Sequence, residues 1–161
     1  MEIRDATAED AGFLQRMLLE AFNWTGEQRF ALSDVEADPH LGRYVSDWPR
    51  AGDVGVVAVG DDGAPAGAAW ARTFPAQDPG YGFVAADIPE ITMAVVVSQR
   101  GRGVGRRLLE ALAQSARERG WRALSLSVED GNRAAGLYRA AGFTVVGRSG
   151  SSDTMRLDLH A

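Results

Sequence analysis

The sequence predicts a single α/β domain that spans residues 1–161, and three observations support this fold class. The length of 161 residues is typical of one domain with a sizeable core. Hydrophobic residues make up 45% of the chain and charged residues 24%, which is typical of a soluble globular protein. An almost unbroken apolar run at residues 91–97 is typical of a central strand that is buried on both faces. A glycine-rich segment and then a strongly periodic helix follow this run.

The N-terminal half predicts a strand, two helices and a hairpin. Thr7 and Asp10 nearly match a capping box, and apolar residues then recur at helical spacing as far as Phe22. The segment Asp61-Asp62-Gly63 is a turn signal between two β-rich stretches. The predicted elements are a strand at residues 3–6, a helix ending near residue 22, a helix at residues 28–36, and hairpin strands at residues 54–59 and 64–73.

The C-terminal half predicts a loop, a central strand and a further alternation of helices and strands. Proline, glycine and aspartate recur at close intervals in residues 75–88, which indicates a loop. Gly120 and Gly142 stand where helix ends are expected. The other predicted elements are strands at residues 91–97, 121–128, 143–146 and 154–159, and helices that follow the glycine-rich segment and span residues 132–141.

Charge and composition exclude several classes of function. The chain has no cysteine, which excludes disulfides, thiolate metal sites and a cysteine nucleophile. A net charge of -5 does not attract nucleic acid in bulk, and no apolar run approaches the ~20 residues of a membrane helix. His40 and His160 have no evident metal partner. We therefore expect a cytoplasmic protein without nucleic acid, membrane or metal partners.

The segment Arg100-Gly101-Arg102-Gly103-Val104-Gly105 predicts an anion site. It lies between the central strand and a helix, where the first backbone amides have no acceptor within the helix and the helix dipole is positive. Glycines allow the backbone to approach a ligand closely. Arg106 and Arg107 crowd positive charge into the first helical turn, and a bound polyanion offsets that charge.

Other glycine loops fit this segment less well. A P-loop requires a lysine after its last glycine, and the chain contains no lysine. The dinucleotide fingerprint G-x-G-x-x-G fails because Arg106 stands at its third glycine. A strand-to-helix turn without a ligand remains the structural alternative for the loop taken by itself.

Two sequence elements together resemble the GCN5-related N-acetyltransferase (GNAT) superfamily. The Arg100–Gly105 segment satisfies its Arg/Gln-x-x-Gly-x-Gly/Ala signature. Downstream, Asn132, Tyr138 and Gly142-Phe143 match its Asn-x(5)-Tyr-x(3)-Gly-Phe element in the expected order. The match covers residues 90–147, whereas the N-terminal half carries no specific motif.

The resemblance implies a fold and a cofactor. The fold is a mixed, mostly antiparallel sheet of about seven strands with flanking helices, in which the fourth and fifth strands are parallel and splay apart around the pantetheine arm. The cofactor is acetyl-CoA as the acyl donor. Its implied binding residues are Val95, Val96 and Val97 for pantetheine, the amides of Gly101, Arg102, Gly103, Val104, Gly105 and Arg106 for the pyrophosphate, with Arg100 beside them and Asn132 on the cofactor arm.

The resemblance also directs attention to two catalytic candidates. Glu90 stands at the start of the central strand, at a position similar to the general base of several relatives, and burial there would raise its pKa. A solvated carboxylate at a strand entrance is the alternative. Tyr138 matches the phenol that protonates the leaving thiolate, although a core tyrosine fits the same position. Asp87 is a reserve base, and Asn132 also suits a helix cap.

The function implied by the resemblance is transfer of an acetyl group to a primary amine by direct attack in a ternary complex. The alternatives are a catalytically silent acyl-CoA-binding sensor and a nucleotide-binding domain. The acceptor has no legible motif, and a monomer or homodimer is expected. Six acidic residues lie in the segments that set specificity in this fold: Glu27, Asp34, Glu36, Asp38, Asp78 and Asp87. They either favour a cationic acceptor or are ordinary surface charge.

Overall fold

A seven-stranded sheet with five helices forms the fold in the computed structural model, which describes residues 1–160. The strands are β1 (Glu2–Asp5), β2 (Val54–Val59), β3 (Pro65–Arg72), β4 (Glu90–Val95), β5 (Ala123–Glu129), β6 (Thr144–Ser149) and β7 (Ser152–Asp158). The helices are α1 (Ala11–Phe22), α2 (Leu32–Ala37), α3 (Pro39–Gly42), α4 (Val104–Glu118) and α5 (Ala134–Ala140).

The strand order is β1-β2-β3-β4-β5-β7-β6. Every neighbouring pair is antiparallel except β4 and β5, which run parallel. The mixed, mostly antiparallel sheet with a parallel fourth and fifth strand is therefore confirmed.

Two hydrophobic cores lie on opposite faces of the sheet because successive strand residues point to opposite sides. Helix α4 covers one face with Leu108 and Leu112, which are fully buried against β2 and β3. Helix α1 covers the other face with Leu14 and Leu18, which pack in the cluster that contains Trp70. The strands that carry the site are thus supported from both sides.

The predicted second helix differs most from the structure. Instead of residues 28–36, the chain forms α2 and α3, and residues before Leu32 make a turn. The Asn23 side chain causes this, because its amide donates to Phe30 O and its oxygen accepts from the Arg29 and Phe30 amides. Asp34 then accepts from the Ala31 amide at 2.8 Å and caps α2.

The remaining boundaries differ by a few residues. β4 ends at Val95, because Val97–Gln99 forms a 3₁₀ turn. The predicted helix at residues 132–141 starts at Ala134, since the Asn132 side-chain oxygen accepts from the Ala134 amide at 3.0 Å.

A buried ion pair fixes the segment that follows α3 to the sheet. Arg72 and Asp53 pair at 2.7 Å with side chains 2% and 3% exposed. The same guanidinium donates to the carbonyl oxygens of Arg43 and Ser46 at 2.8 and 2.9 Å. Trp70 Nε1 donates to Tyr44 O at 3.0 Å. Tyr44 is thereby held beside Glu90 at the start of β4.

Candidate active site

The gap between β4 and β5 is the main cleft of the molecule. The two strands share one register pair, Glu90 with Ser125, and the Ser125 amide donates to Pro89 O at 3.0 Å. Beyond that point the strands diverge. The resulting cleft has a volume of about 1030 Å³ and extends from Glu90 to the start of α4.

Beyond Glu90, the backbone of β4 presents polar groups to this cleft that do not pair with β5. Val95 lies opposite Gly67 of β3, and the Val96 amide donates to Ala66 O at 2.8 Å. Because alternate residues of an antiparallel ladder direct their polar groups to opposite sides, the N–H and C=O of Val95 point towards β5. The carbonyl accepts from Arg100 Nε at 3.1 Å.

The three valines expected to bind pantetheine therefore differ in position. Val95 lines the cleft, whereas Val96 and Val97 are not among its lining residues. Val96 directs its amide to β3, and Val97 begins the 3₁₀ turn with 66% of its surface exposed. Binding of pantetheine by all three stays a prediction.

The Arg-Gly loop places a row of free amides at the start of α4. Gly101 and Gly103 have φ of 76° and 80°, a left-handed conformation that side chains disfavour. From residue 101 to residue 106, no backbone amide donates a hydrogen bond within the described residues. Six consecutive donors thus lie at the start of α4, where the helix dipole adds positive potential, and five of these six residues line the end of the cleft.

The arginines of this region are partly engaged by acids of the chain. Arg100 pairs with Glu20 of α1 at 3.2 Å, and Arg106 pairs with Glu110 at 3.0 Å. Arg102 is exposed and has no ion pair in the described part of the chain. Arg100 and Arg106 line the cleft together with Gly101, Gly103, Val104 and Gly105, whereas Arg102 does not.

Glu90 is the buried carboxylate at the other end of the cleft. Only 4% of its surface is exposed. Its Oε2 accepts a hydrogen bond from the Tyr44 hydroxyl at 2.8 Å, and its Oε1 has no partner among residues 1–160. Burial raises the pKa of Glu90 to about 7, although Tyr44, the Gly82 backbone and the positive charge of Arg43 act in the opposite direction. The carboxylate can therefore gain and lose a proton near neutral pH.

Tyr44 connects Glu90 to the loop before β4. Its hydroxyl accepts from the Tyr81 amide at 2.8 Å while it donates to Glu90. Burial and the charge of Glu90 raise the pKa of Tyr44, so this hydroxyl stays a donor. A side chain at Gly80 would collide with Glu90, because a Cβ there would lie 2.1 Å from Oε1.

Tyr138 and Asn132 lie on the β5 side of the cleft. Tyr138 is 7% exposed, lines the cleft and packs its ring against Phe143 at 5.8 Å. Burial raises its pKa to about 12. Asn132 also lines the cleft while it caps α5. Asp87 is elsewhere, in an exposed ion pair with Arg122 at 2.6 Å.

The structure adds residues that the sequence did not reveal. Tyr44, Arg29 and Leu41 line the cleft, and none belongs to a recognisable motif. Among the aromatic residues between β3 and β4, Tyr81 lines the cleft, whereas Phe74 and Phe83 pack in the core around α1. The six acids noted in the sequence are absent from the cleft lining: Glu27, Asp34, Glu36, Asp38, Asp78 and Asp87.

The described residues contain neither a metal-binding cluster nor a membrane-spanning helix. Within residues 1–160, no three histidine, cysteine or acidic side chains are placed to hold a metal ion. None of the helices described has the length and apolar character needed to cross a membrane.

The cleft thus combines free amides at a helix start, a β4 edge that does not pair with β5 beyond Glu90, and a buried carboxylate. The sequence profile of the Acetyltransferase (GNAT) family matches residues 16–143. The chain belongs to this family and is an enzyme of the acetyltransferase class. No curated protein sequence matches the chain.

Solved structures share this fold over nearly the whole chain. A ribosomal-protein-alanine N-acetyltransferase from Brucella melitensis is 26% identical with a TM-score of 0.70, covering 98% of this chain and 99% of that one. The yncA protein of Salmonella typhimurium, solved with its cofactor acetyl-CoA, is 23% identical with a TM-score of 0.69, covering 100% and 95%. A phosphinothricin acetyltransferase from Sinorhizobium meliloti, in complex with acetyl-CoA, is 21% identical with a TM-score of 0.70, covering 98% and 87%.

Proposed function

We propose that the protein transfers an acetyl group from acetyl-CoA to a primary amine, which attacks the donor directly in a ternary complex. The row of six free amides from residue 101 to residue 106, at the end of a cleft that reaches Glu90, carries this proposal. The acetyl-CoA bound in similar structures supports the choice of donor.

The residues present fit this donor. Amides at a helix N-terminus bind phosphate groups, and the free amides of the Arg-Gly loop would hold the pyrophosphate. The Val95 backbone would pair with the amides of the pantetheine arm, with Val96 and Val97 beside it, and Asn132 would border the arm from α5. Arg100 would exchange its contact with Val95 O for the ligand. When bound, acetyl-CoA supplies a thioester whose carbonyl carbon accepts the amine nitrogen as the carbon–sulfur bond breaks.

Glu90 and Tyr138 divide the proton transfers between them. Glu90 would take the proton that the attacking amine must lose, because its pKa of about 7 leaves it largely ionised above neutrality. Tyr138 would donate its hydroxyl proton to the departing sulfur, since a pKa of about 12 keeps the phenol protonated. Glu90 belongs to β4 and Tyr138 to α5, and both line the cleft, so an amine and a thioester would meet between them.

Binding of the donor is tested at Gly103. Acetyl-CoA should raise the melting temperature of the wild type, and Gly103→Asp should abolish that shift because its carboxylate repels the pyrophosphate. Gly103→Asn is the matched control, since it has the same shape and backbone strain without the charge. An Asn variant as defective as the Asp variant would contradict an anion site, and failure of acetyl-CoA to bind the wild type would overturn the proposal.

Catalysis is tested by release of free thiol with a panel of amines. The wild type should release CoA only when an amine is present, and Glu90→Gln should lower kcat by about 100-fold or more, as loss of a general base does. Tyr138→Phe should lower kcat without weakening acetyl-CoA binding. Binding without thiol release from any amine would favour the catalytically silent module.

A further inference from the structure

The half of the cleft around Glu90 has aromatic walls. Phe22 and Phe30 stand 5.5 Å apart between ring centroids, Phe22 and Tyr44 6.5 Å apart, and Tyr44 and Tyr81 stack at 6.3 Å. Leu41 completes this lining. The five side chains come from α1, the α1–α2 turn, α3 with the segment after it, and the loop before β4. They form one largely apolar part of the cleft lining, which we call the aromatic wall.

Each acidic side chain of the cleft is either paired with an arginine or is Glu90, the proposed base. Glu90, Glu20 and Glu129 are the acidic residues in its lining within the described part of the chain. Glu129 pairs with Arg29 at 2.6 Å, and both side chains are about one-third exposed. Glu20 pairs with Arg100 beside the Arg-Gly loop, so it faces the donor half. No free carboxylate is left beside the aromatic wall for a second ammonium group.

A buried cation stands behind the aromatic wall. Arg43 is 5% exposed, and its guanidinium carbon lies 5.4 Å from the Tyr44 ring centroid and 4.9 Å from that of Tyr81. It has no carboxylate within 4.0 Å among residues 1–160; its polar contact is with the His40 ring. Its guanidinium lies over one face of each of the two tyrosine rings, where another cation would otherwise be attracted. Its positive charge also repels further cations.

From this arrangement, and resting on the proposed function, we infer that the acceptor is a primary amine on an apolar alkyl or aryl frame, with no second positive charge. The apolar frame packs on the aromatic wall and the amine points to Glu90. The neutral form of the amine is favoured there because a low-polarity site disfavours the ammonium ion. A diamine or an aminoglycoside would have to leave a buried ammonium without a partner, which is costly.

The inference is tested with hexylamine and hexamethylenediamine, which differ in one terminal ammonium group. At about pH 8, kcat/KM for hexylamine should exceed that for the diamine on the order of 100-fold, as an unpaired buried charge requires. Phenylethylamine should behave like hexylamine. Equal rates, or a preference for the diamine, would overturn this inference but leave acetyl transfer intact. Acetyl-CoA binding without acetylation of any amine would instead overturn the proposed function.

Two variants test whether the Arg29–Glu129 pair and the aromatic wall cause this preference. Arg29→Met removes the partner of Glu129 and leaves a free carboxylate in the cleft, so it should raise kcat/KM for the diamine relative to hexylamine by about ten-fold, the effect of a new partly exposed ion pair. Phe30→Ala should lower kcat/KM for hexylamine by about ten-fold through lost apolar contact. Val145→Ala, at an exposed position of the β6 edge strand, is the control and should change neither this ratio nor kcat/KM for hexylamine.

Melting temperature and acetyl-CoA binding show whether each variant is folded. If folded Arg29→Met leaves the ratio of the two amines unchanged, charge neutralisation by Arg29 does not set specificity. If folded Phe30→Ala acetylates hexylamine as fast as the wild type does, the aromatic wall does not bind the acceptor. Either result would contradict the inference.

Discussion

Replacement of Tyr44 by phenylalanine tests whether this residue sets the proton affinity of the proposed base. The Tyr44 hydroxyl donates to Glu90 Oε2 at 2.8 Å and so stabilises the carboxylate. A hydrogen bond to a charged group contributes about 1.5–3 kcal/mol, which corresponds to about 1–2 pKa units. Tyr44→Phe should therefore raise the pKa of Glu90 from about 7 to about 8–9.

The consequence is a loss of activity that depends on pH. At pH equal to the wild-type pKa of about 7, half of the wild-type carboxylate is ionised, but only about 1–10% would be ionised in the variant. The ratio of wild-type to variant kcat/KM should be about 5–50 there and fall below about two near pH 10, where Glu90 is ionised in both. Taking the ratio cancels the titration of the amine itself.

The assay is thiol release across this pH range with one amine. A double-mutant cycle with Glu90→Gln isolates the interaction: in the Gln background, Tyr44→Phe should no longer change the pH profile. An equal loss of activity at every pH would refute the reasoning, because it would mean that Tyr44 only shapes the cleft. Acetyl-CoA binding should be unchanged, since Tyr44 lies at the acceptor end.

Two further predictions concern the same carboxylate. The folded state raises the pKa of Glu90 from 4.5 to about 7, so it favours the protonated form. That contribution is complete below pH 4.5 and is lost as pH rises through 7, a change of about 3 kcal/mol. Glu90→Gln stays neutral, and its free energy of unfolding relative to wild type should therefore rise by about that amount over this range; denaturant titrations that show a constant difference would contradict the burial argument. Gly80→Ala places a Cβ 2.1 Å from Glu90 Oε1 and should lower kcat by about 10–100-fold while acetyl-CoA still binds. Gly12→Ala in α1, where a Cβ meets nothing within 4 Å, should retain full activity, and full activity in Gly80→Ala as well would show that the carboxylate is free to move aside.

The parts of the site that depend on consecutive residues were predictable from the sequence. The row of free amides follows from the spacing of Gly101 and Gly103 and from the start of α4 directly after them. A helix N-terminus exposes its first amides in any fold. Glu90 at the entrance of β4 and Asn132 at the start of α5 were selected because their positions match the family resemblance, and both line the cleft.

The acceptor side was not predictable, because it is built from distant segments. Tyr44 meets Glu90 across 46 positions, and Arg29 meets Glu129 across 100. The acids that favoured a cationic acceptor in the sequence lie outside the cleft: Asp34 caps α2, Asp38 accepts from the His40 amide, and Asp87 pairs with Arg122. A sequence identifies the charged residues, but it does not show which of them line the same cleft.

The sequence by itself therefore determined the row of free amides at the start of α4 and the α/β class of the fold. Both are encoded in backbone conformation and in the periodicity of a few neighbouring residues. Only the tertiary structure decided the surroundings of Glu90, where Tyr44 donates to the carboxylate, the Tyr81 amide donates to Tyr44, and the other acids of the cleft are paired. Packing and burial fix those contacts, because the pKa of a carboxylate and the charge of a cleft depend on all the groups that enclose them.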